Sequence, residues 1–143
     1  MAKGTSFKLT YATMFNPPEE LHTRYEDALK KVQAGLGQEF SMFIDGKETK
    51  AAETFENCSP INTEVVLGLF QKGDAQAADK AVSSAKRAFP AWSRTPWQER
   101  LALLRKAADM IDKRIFEFGA VITLEVGKNR MEALGGAAEA ADL

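Results

Sequence analysis

Apolar positions change their spacing twice along this chain, and the changes divide it. Leu21, Tyr25, Leu29, Val32 and Leu36 recur every three or four residues, the period of one helix face. Pro17-Pro18-Glu19-Glu20 opens that helix, because proline fits the first turn and carboxylates suit the positive end of the helix dipole. Gly35 and Gly37 mark its end. The residues ahead of it show no clear period and are expected as an extended arm. The period then shortens. Phe40-Ser41-Met42-Phe43-Ile44 is a short apolar run followed by Asp45-Gly46, a two-residue hairpin signal. Glu53 to Cys58 and Glu64 to Phe70 read as further strands, the second rich in β-branched residues, with Ser59-Pro60-Ile61-Asn62-Thr63 as the turn between them. This middle region reads as a small antiparallel sheet or a pair of hairpins.

From Asp74 onward the helical period returns. Asp74 is placed to cap a helix whose face carries Ala78, Val82, Ala85 and Phe89, and Pro90 stops or kinks it. Thr95-Pro96-Trp97-Gln98 reads as the next start, with Thr95 at the cap and Pro96 in the first position. Its stripe is Leu101, Leu104, Ala108, Ile111 and Ile115. A further helix covers Phe116 to Val126 and ends at Gly127. The last runs from Arg130 to the C-terminus across Gly135-Gly136, each worth about 1 kcal/mol less than alanine inside a helix. Strands followed by several helices with no further strand make an unbalanced order, since a parallel α/β sheet alternates the two. Little in the chain can cover all these helix faces, so a partner surface, the rest of a longer chain, is expected.

Composition narrows the classes. The chain has 143 residues, enough for one compact domain, with 45 % hydrophobic and 27 % charged residues. A net charge of −1 supplies no electrostatic reason to bind nucleic acid or an anionic membrane, and neither is expected as a partner. Cys58 and His22 are the sole cysteine and histidine, which rules out an intrachain disulfide and gives no basis for a cysteine–histidine metal cluster. The start, Met1 to Lys8, lacks the apolar stretch of a signal peptide. The run Ala120-Val121-Ile122-Thr123-Leu124 is far short of the roughly 20 residues of a membrane helix. A cytoplasmic protein is expected.

Candidate chemistry is sparse. Cys58 ends a strand and reads as a small buried residue, because no activating base, cation or helix N-terminus can be named beside it. His22 reads as a surface residue in a polar first turn. Gly35-Leu36-Gly37 lacks the preceding strand and the third glycine of a phosphate loop, and a helix C-cap explains it better. Trp92 and Trp97 read as packing at a helix junction. Glu125, Glu132 and Glu139 recur every seven residues and Glu117 adds a fourth acid; Glu117 and Glu132 read as solvated. Glu139 differs, because Ala137, Ala138, Ala140 and Ala141 flank it: its carboxylate faces a crevice, or the small residues permit close helix packing. No residue is assigned as catalytic, cofactor-binding or metal-binding.

Taken together, several runs resemble the start of the aldehyde dehydrogenases. Ser59-Pro60-Ile61-Asn62-Thr63-Glu64-Val65-Val66 resembles their N-P-x-x-x-E-V hairpin, and Asp79 to Trp92 resembles their A-x-x-A-F-x-x-W helix. Glu99-Arg100-Leu101-Ala102-Leu103-Leu104 is similar to their R-x-x-x-L helix, and Leu124-Glu125-Val126-Gly127-Lys128 to their E-x-G-K segment. Order and spacing agree. Tyr25 to Val32, Leu36 to Phe40 and Ile44-Asp45-Gly46-Lys47 resemble the 1-pyrroline-5-carboxylate dehydrogenase group, which oxidises glutamate semialdehyde to glutamate with NAD in proline breakdown. The resemblance runs from about Phe15 to Leu143.

That resemblance implies an α/β fold of the aldehyde dehydrogenase type, present here as an N-terminal piece. Residues 1–40 would be an arm and helix, 41–73 hairpin strands joining the oligomerisation sheet, and 74–143 helices of a cofactor-binding domain without its Rossmann sheet. The catalytic cysteine, the base and the NAD site would lie downstream, and Cys58 does not match the nucleophile's motif. Glu139 matches a glutamate beside the substrate pocket in this group, although Gly135-Gly136-Ala137 departs from the family pattern just before it. The complete protein would be a homo-oligomer, and this chain alone inactive. The alternative, from a different class, is a non-catalytic association module or truncated paralogue whose edge strands and apolar faces pair with another subunit.

Overall fold

The structure, a computed structural model, describes residues 16–142; the arm expected ahead of Asn16 lies outside them. In chain order the elements are α1 (Glu19–Gln33), β1 (Gln38–Phe40), β2 (Met42–Ile44), β3 (Lys47–Thr49), β4 (Thr54–Cys58), β5 (Val66–Gln71), α2 (Ala75–Arg94), α3 (Trp97–Lys113), α4 (Ile115–Val126) and α5 (Arg130–Asp142). The described residues form two compact units, 16–35 with 106–142, and 36–105. These units cut across the segments 1–40, 41–73 and 74–143, because compactness follows contacts between distant residues and not chain order.

In the first unit α1 begins at Pro18, whose backbone is extended and whose carbonyl accepts from the Leu21 N–H at 2.9 Å. Glu19 and Glu20 in the first turn and Lys30 and Lys31 in the last match the helix dipole. Leu21 and Tyr25 on its inner face pack against Leu134 of α5, with Leu29, Phe116 and Met131 around them. α4 stops at Gly127, which takes the left-handed conformation at φ 76° and donates its N–H to the Thr123 carbonyl at 3.0 Å. Asn129 then caps α5: its Oδ1 accepts from the Glu132 N–H at 3.0 Å.

The second unit holds a three-stranded sheet in the order β1-β5-β4, with β1 parallel and β4 antiparallel to β5. The hairpin β2-β3 turns at Asp45 and Gly46, at φ 58° and 70°, the left-handed pair that an Asp-Gly hairpin demands. Asp45 also accepts from Ser84 Oγ at 2.8 Å and pairs with Arg87 at 3.4 Å, tying the turn to α2. Buried Gln71 joins β5 to its neighbours. Its side-chain Oε1 accepts from the Ala51 N–H at 2.8 Å, and its Nε2 donates to Glu39 Oε1 at 2.9 Å and the Phe40 carbonyl at 3.2 Å. Phe40 stacks on Phe70 at 5.1 Å between ring centroids, and a Cβ on Gly68 would come within 2.7 Å of the Phe40 ring.

Five local expectations need correction. The run Phe40 to Ile44 is not one strand: β1 ends at Phe40 and β2 begins at Met42, in different sheets. The larger sheet is mixed, not antiparallel, since β1 finds its partner in β5 across the whole intervening hairpin. Glu64 lies outside β5 because Asn62 Oδ1 captures its N–H at 3.0 Å in a side-chain-closed turn. Pro90 does not stop α2, which runs on to Arg94, and Thr95 turns its hydroxyl back to the Ala91 carbonyl at 3.2 Å instead of capping α3.

Asp74 caps α2 as its sequence position predicts, accepting from the Ala77 N–H at 2.8 Å. Asp74→Ala is expected to cost about 1 kcal/mol in urea unfolding, with Asp74→Ser restoring most of it; equal midpoints for Asp74→Ala and the parent would show that this bond contributes nothing. Neither α2 nor α3 buries a residue. Phe89, Trp97 and Leu104 are 65 %, 62 % and 67 % exposed. Trp92 and Trp97 are therefore not packed at a helix junction: both lie exposed, because no described residue of the chain covers that side. No helix among the described residues is long and apolar enough to cross a membrane.

Candidate functional site

α5 carries the candidate Glu139, and the register of that helix decides where the carboxylate goes. Ala133, Leu134 and Ala137 are buried, so Glu132 and Glu139, two turns apart, share the exposed face. The seven-residue recurrence of acids is not a single stripe. Glu125 belongs to α4, and the break at Gly127–Asn129 separates it from the two acids of α5. Close helix packing is the part of the Glu139 reading visible here: small Ala133 and Ala137, with Gly119 and Ala120 of α4, are all buried.

Glu117, read as solvated, also pairs with Arg114 at the surface, with Nε to Oε2 at 3.0 Å and Nη2 to Oε1 at 2.5 Å. The Arg114 hydrogen bonds lower its carboxyl below the ordinary range; burial opposes this, and the charges of Arg114 and Lys31 add to it. Glu39 is lowered by hydrogen bonds from Lys50 and then Gln71, and Asp45 by Ser84 and then the charge of Arg87. The sign is shared. A carboxyl lowered on folding contributes stability that is present above its unfolded value and lost as pH falls through the folded value. The melting temperature is therefore expected to fall between about pH 5 and pH 3, and less steeply in high salt because these pairs are exposed. A melting temperature flat across that range would remove these pairings as contributors.

Cys58 ends β4 beside a register irregularity at Asn57/Cys58, half-buried and unpaired by disulfide, in the strand position read from the sequence. Gly35-Leu36-Gly37 follows α1, and the Gly37 N–H donates to the Leu67 carbonyl at 3.1 Å. A cavity of about 440 Å³ in the second unit, to which the sequence did not point, is lined by Met42, Lys50, Glu53, Lys72, Asp74 and Lys80 among others. Two of its lysines are already paired, Lys50 with Glu39 at 3.0 Å and Lys72 with Glu53 at 3.1 Å. Among the described residues no three His, Cys, Asp or Glu side chains gather as a metal site. His22 is half-buried and meets Arg130 of α5, a contact over 108 residues that no local signal announces.

Comparison with known proteins gives this arrangement its context. The profile of the "Aldehyde dehydrogenase family" matches residues 47–143. A 1-pyrroline-5-carboxylate dehydrogenase of Geobacillus sp. is 36 % identical over 118 residues, which cover 82 % of this chain and 23 % of that protein. A crystal structure of 1-pyrroline-5-carboxylate dehydrogenase from Thermus with bound NAD has 31 % identity and a TM-score of 0.86, over 89 % of this chain and 25 % of that one. Proline utilization A from Bdellovibrio bacteriovorus is similar at 29 % identity and a TM-score of 0.85, over 87 % of this chain and 13 % of that one. The chain thus spans about a quarter of the length of the curated relatives it matches. With two-thirds of its residues inside the family profile and its elements superposing on solved members, this chain belongs to the aldehyde dehydrogenase family.

Proposed function

We propose that this chain forms the N-terminal part of an NAD-dependent dehydrogenase that oxidises glutamate semialdehyde, the open form of 1-pyrroline-5-carboxylate, to glutamate in proline breakdown. The observation that carries the reading is the similarity to 1-pyrroline-5-carboxylate dehydrogenases, at 36 % identity over 82 % of the chain. The exposed apolar faces of α2 and α3 support it, because a further domain is what would bury them. In this reading residues 41–73 join the oligomerisation sheet of a homo-oligomer, and residues 74–143 pack against a cofactor domain.

Gly35 and Gly37, the glycine pair weighed as a phosphate loop, do not make a dinucleotide cradle. A dinucleotide cradle needs a glycine-rich turn between a strand and a helix. Gly35 and Gly37 follow a helix instead, and the Gly37 N–H is already given to Leu67. In this reading the chemistry is assigned to residues of the complete enzyme beyond this chain. Glu139 is proposed to bind the amino-acid end of the substrate, which its exposed carboxylate leaves it able to do.

The complete enzyme is expected to form NADH with 1-pyrroline-5-carboxylate, and the purified 143-residue chain to form none. A complete enzyme inert toward that substrate would end the reading. Glu139→Gln in the complete enzyme is expected to weaken substrate affinity about tenfold, the size of one lost charge-assisted hydrogen bond. Unchanged affinity would remove Glu139 from the site while leaving the activity intact.

A further inference from the structure

A side chain that the proposed function does not use holds α5 to α1. Arg130, the first residue of α5, reaches His22, Tyr25 and Glu26, which stand at i, i+3 and i+4 on one face of α1. Its Nη1 lies 2.6 Å from His22 Nδ1, its Nη2 donates to the Glu26 carboxylate, and its guanidinium sits 4.5 Å over the Tyr25 ring. Among the described residues, the side-chain hydrogen bonds between α1 and α5 all come from Arg130. The α1 side of this clamp is itself fixed to α4. The Tyr25 hydroxyl donates to Thr123 Oγ1 at 2.6 Å, and Arg24 lies 4.3 Å over the Phe116 ring. A planar guanidinium fork is directional, whereas apolar burial is not. Leu134 seats α5 against Leu21 and Tyr25, but Ala133, Gly135, Gly136 and Ala137 beside it carry no side chain that resists a turn of the helix about its axis.

Such a turn matters because of what the opposite face carries. Glu139 stands nine positions from Arg130, about two and a half turns, so it leaves α5 on the other side of the helix and is exposed. A carboxylate about 6 Å from the helix axis moves about 2 Å when the helix turns by about 20°. Misplacement of about 1 Å is enough to cost up to about a hundredfold in rate where a group holds a substrate for reaction. We propose that Arg130 is a positioning residue: clamped by His22, Tyr25 and Glu26, it fixes the rotation of α5 and so sets the direction in which Glu139 is presented to the substrate. The inference rests on the reading of Glu139 given above, and it brings α1 into the service of that site through contacts over 104 and 108 residues.

Two measurements separate the clamp from the site. Cys58 is the only cysteine, so in a Cys58→Ser background nitroxide labels placed through Asp27→Cys and Glu139→Cys report the geometry of α5 on α1 as one electron–electron distance. A single narrow distance is expected with Arg130 in place. Arg130→Met keeps the stem over Tyr25 and removes the fork, and is expected to shift the mean by about 2 Å or to broaden the distribution. An unchanged distribution in a folded Arg130→Met would overturn the proposal; if that variant does not fold, Glu26→Gln, which removes the ion pair at a more exposed position, decides in the same way. In the complete enzyme, Arg130→Met is expected to raise KM for 1-pyrroline-5-carboxylate about fivefold and to leave kcat within about twofold. In a Glu139→Gln background the same change is expected to add nothing, because the carboxylate it aims is gone. Additive losses, or a fall in kcat in both backgrounds, would mark a general structural role and overturn the positioning. If Glu139→Gln alone leaves KM unchanged, the reading of Glu139 fails and takes its presentation to the substrate with it, while the distance measurement still decides whether Arg130 orients α5.

Discussion

Leu134→Ala is expected to lower the unfolding free energy of the chain by about 2–5 kcal/mol, read as a shift of the urea midpoint. Leu134 is fully buried, and it is the residue of α5 that meets both Leu21 and Tyr25 of α1. Truncation removes three carbons, Cγ and the two methyl groups on it, from an apolar site and leaves a cavity bounded by two helices and a tyrosine. The Tyr25 hydroxyl is fixed by Thr123, so that ring is not free to move in and fill the space. The small residues beside Leu134 offer little else to collapse, since Ala133 and Ala137 have no side chain to swing. The loss is therefore placed in the upper part of the range. A loss under about 1 kcal/mol would mean that α5 does not dock on α1 in solution.

Gly119→Ala is expected to destabilise by about 1–2 kcal/mol, against the usual trend. Inside a helix, glycine to alanine normally gains about 1 kcal/mol. At Gly119 an added Cβ would lie 2.7 Å from Leu134 Cδ2 and 3.2 Å from its Cγ. Leu134 is buried on all sides, so the clash is relieved only by moving packed atoms, and overpacking of this kind costs about 1–3 kcal/mol. The steric term is the larger. In a Leu134→Ala background the obstacle is gone, and the same Gly119→Ala change is expected to become stabilising. That reversal of sign, measured as a double-mutant cycle, separates direct contact from a general dislike of alanine in α4. Gly136 is the internal control. A Cβ there would meet nothing nearer than Lys128 Nζ at 3.9 Å, so Gly136→Ala is expected to stabilise.

Both effects depend on a contact that local sequence does not show. Five helices, the Asp-Gly hairpin, the Asp74 cap and the Gly127 stop were legible because each depends on residues within one or two turns of one another. Periodicity, a capping carboxylate and a left-handed glycine act at short range. The uncovered faces of α2 and α3 were legible too, since counting apolar stripes against available strands needs no coordinates. The motif order that marks the family is likewise a property of the linear chain.

Tertiary structure decided the rest. The division of Phe40–Ile44 between two sheets, and the parallel pairing of β1 with β5, depend on which distant strand supplies the partner. Glu117 was read as solvated because acids on a helical surface usually are; the Arg114 side chain had to be oriented before its surface pair could be seen. Gly119 and Leu134 are fifteen positions apart in different helices, and neither is unusual alone; their meeting gives the glycine its purpose. His22 likewise meets Arg130, 108 residues away. Local chemistry wrote the elements and their ends. The long-range meetings were settled by which apolar faces could bury one another, and the charged partners on those faces followed from that docking.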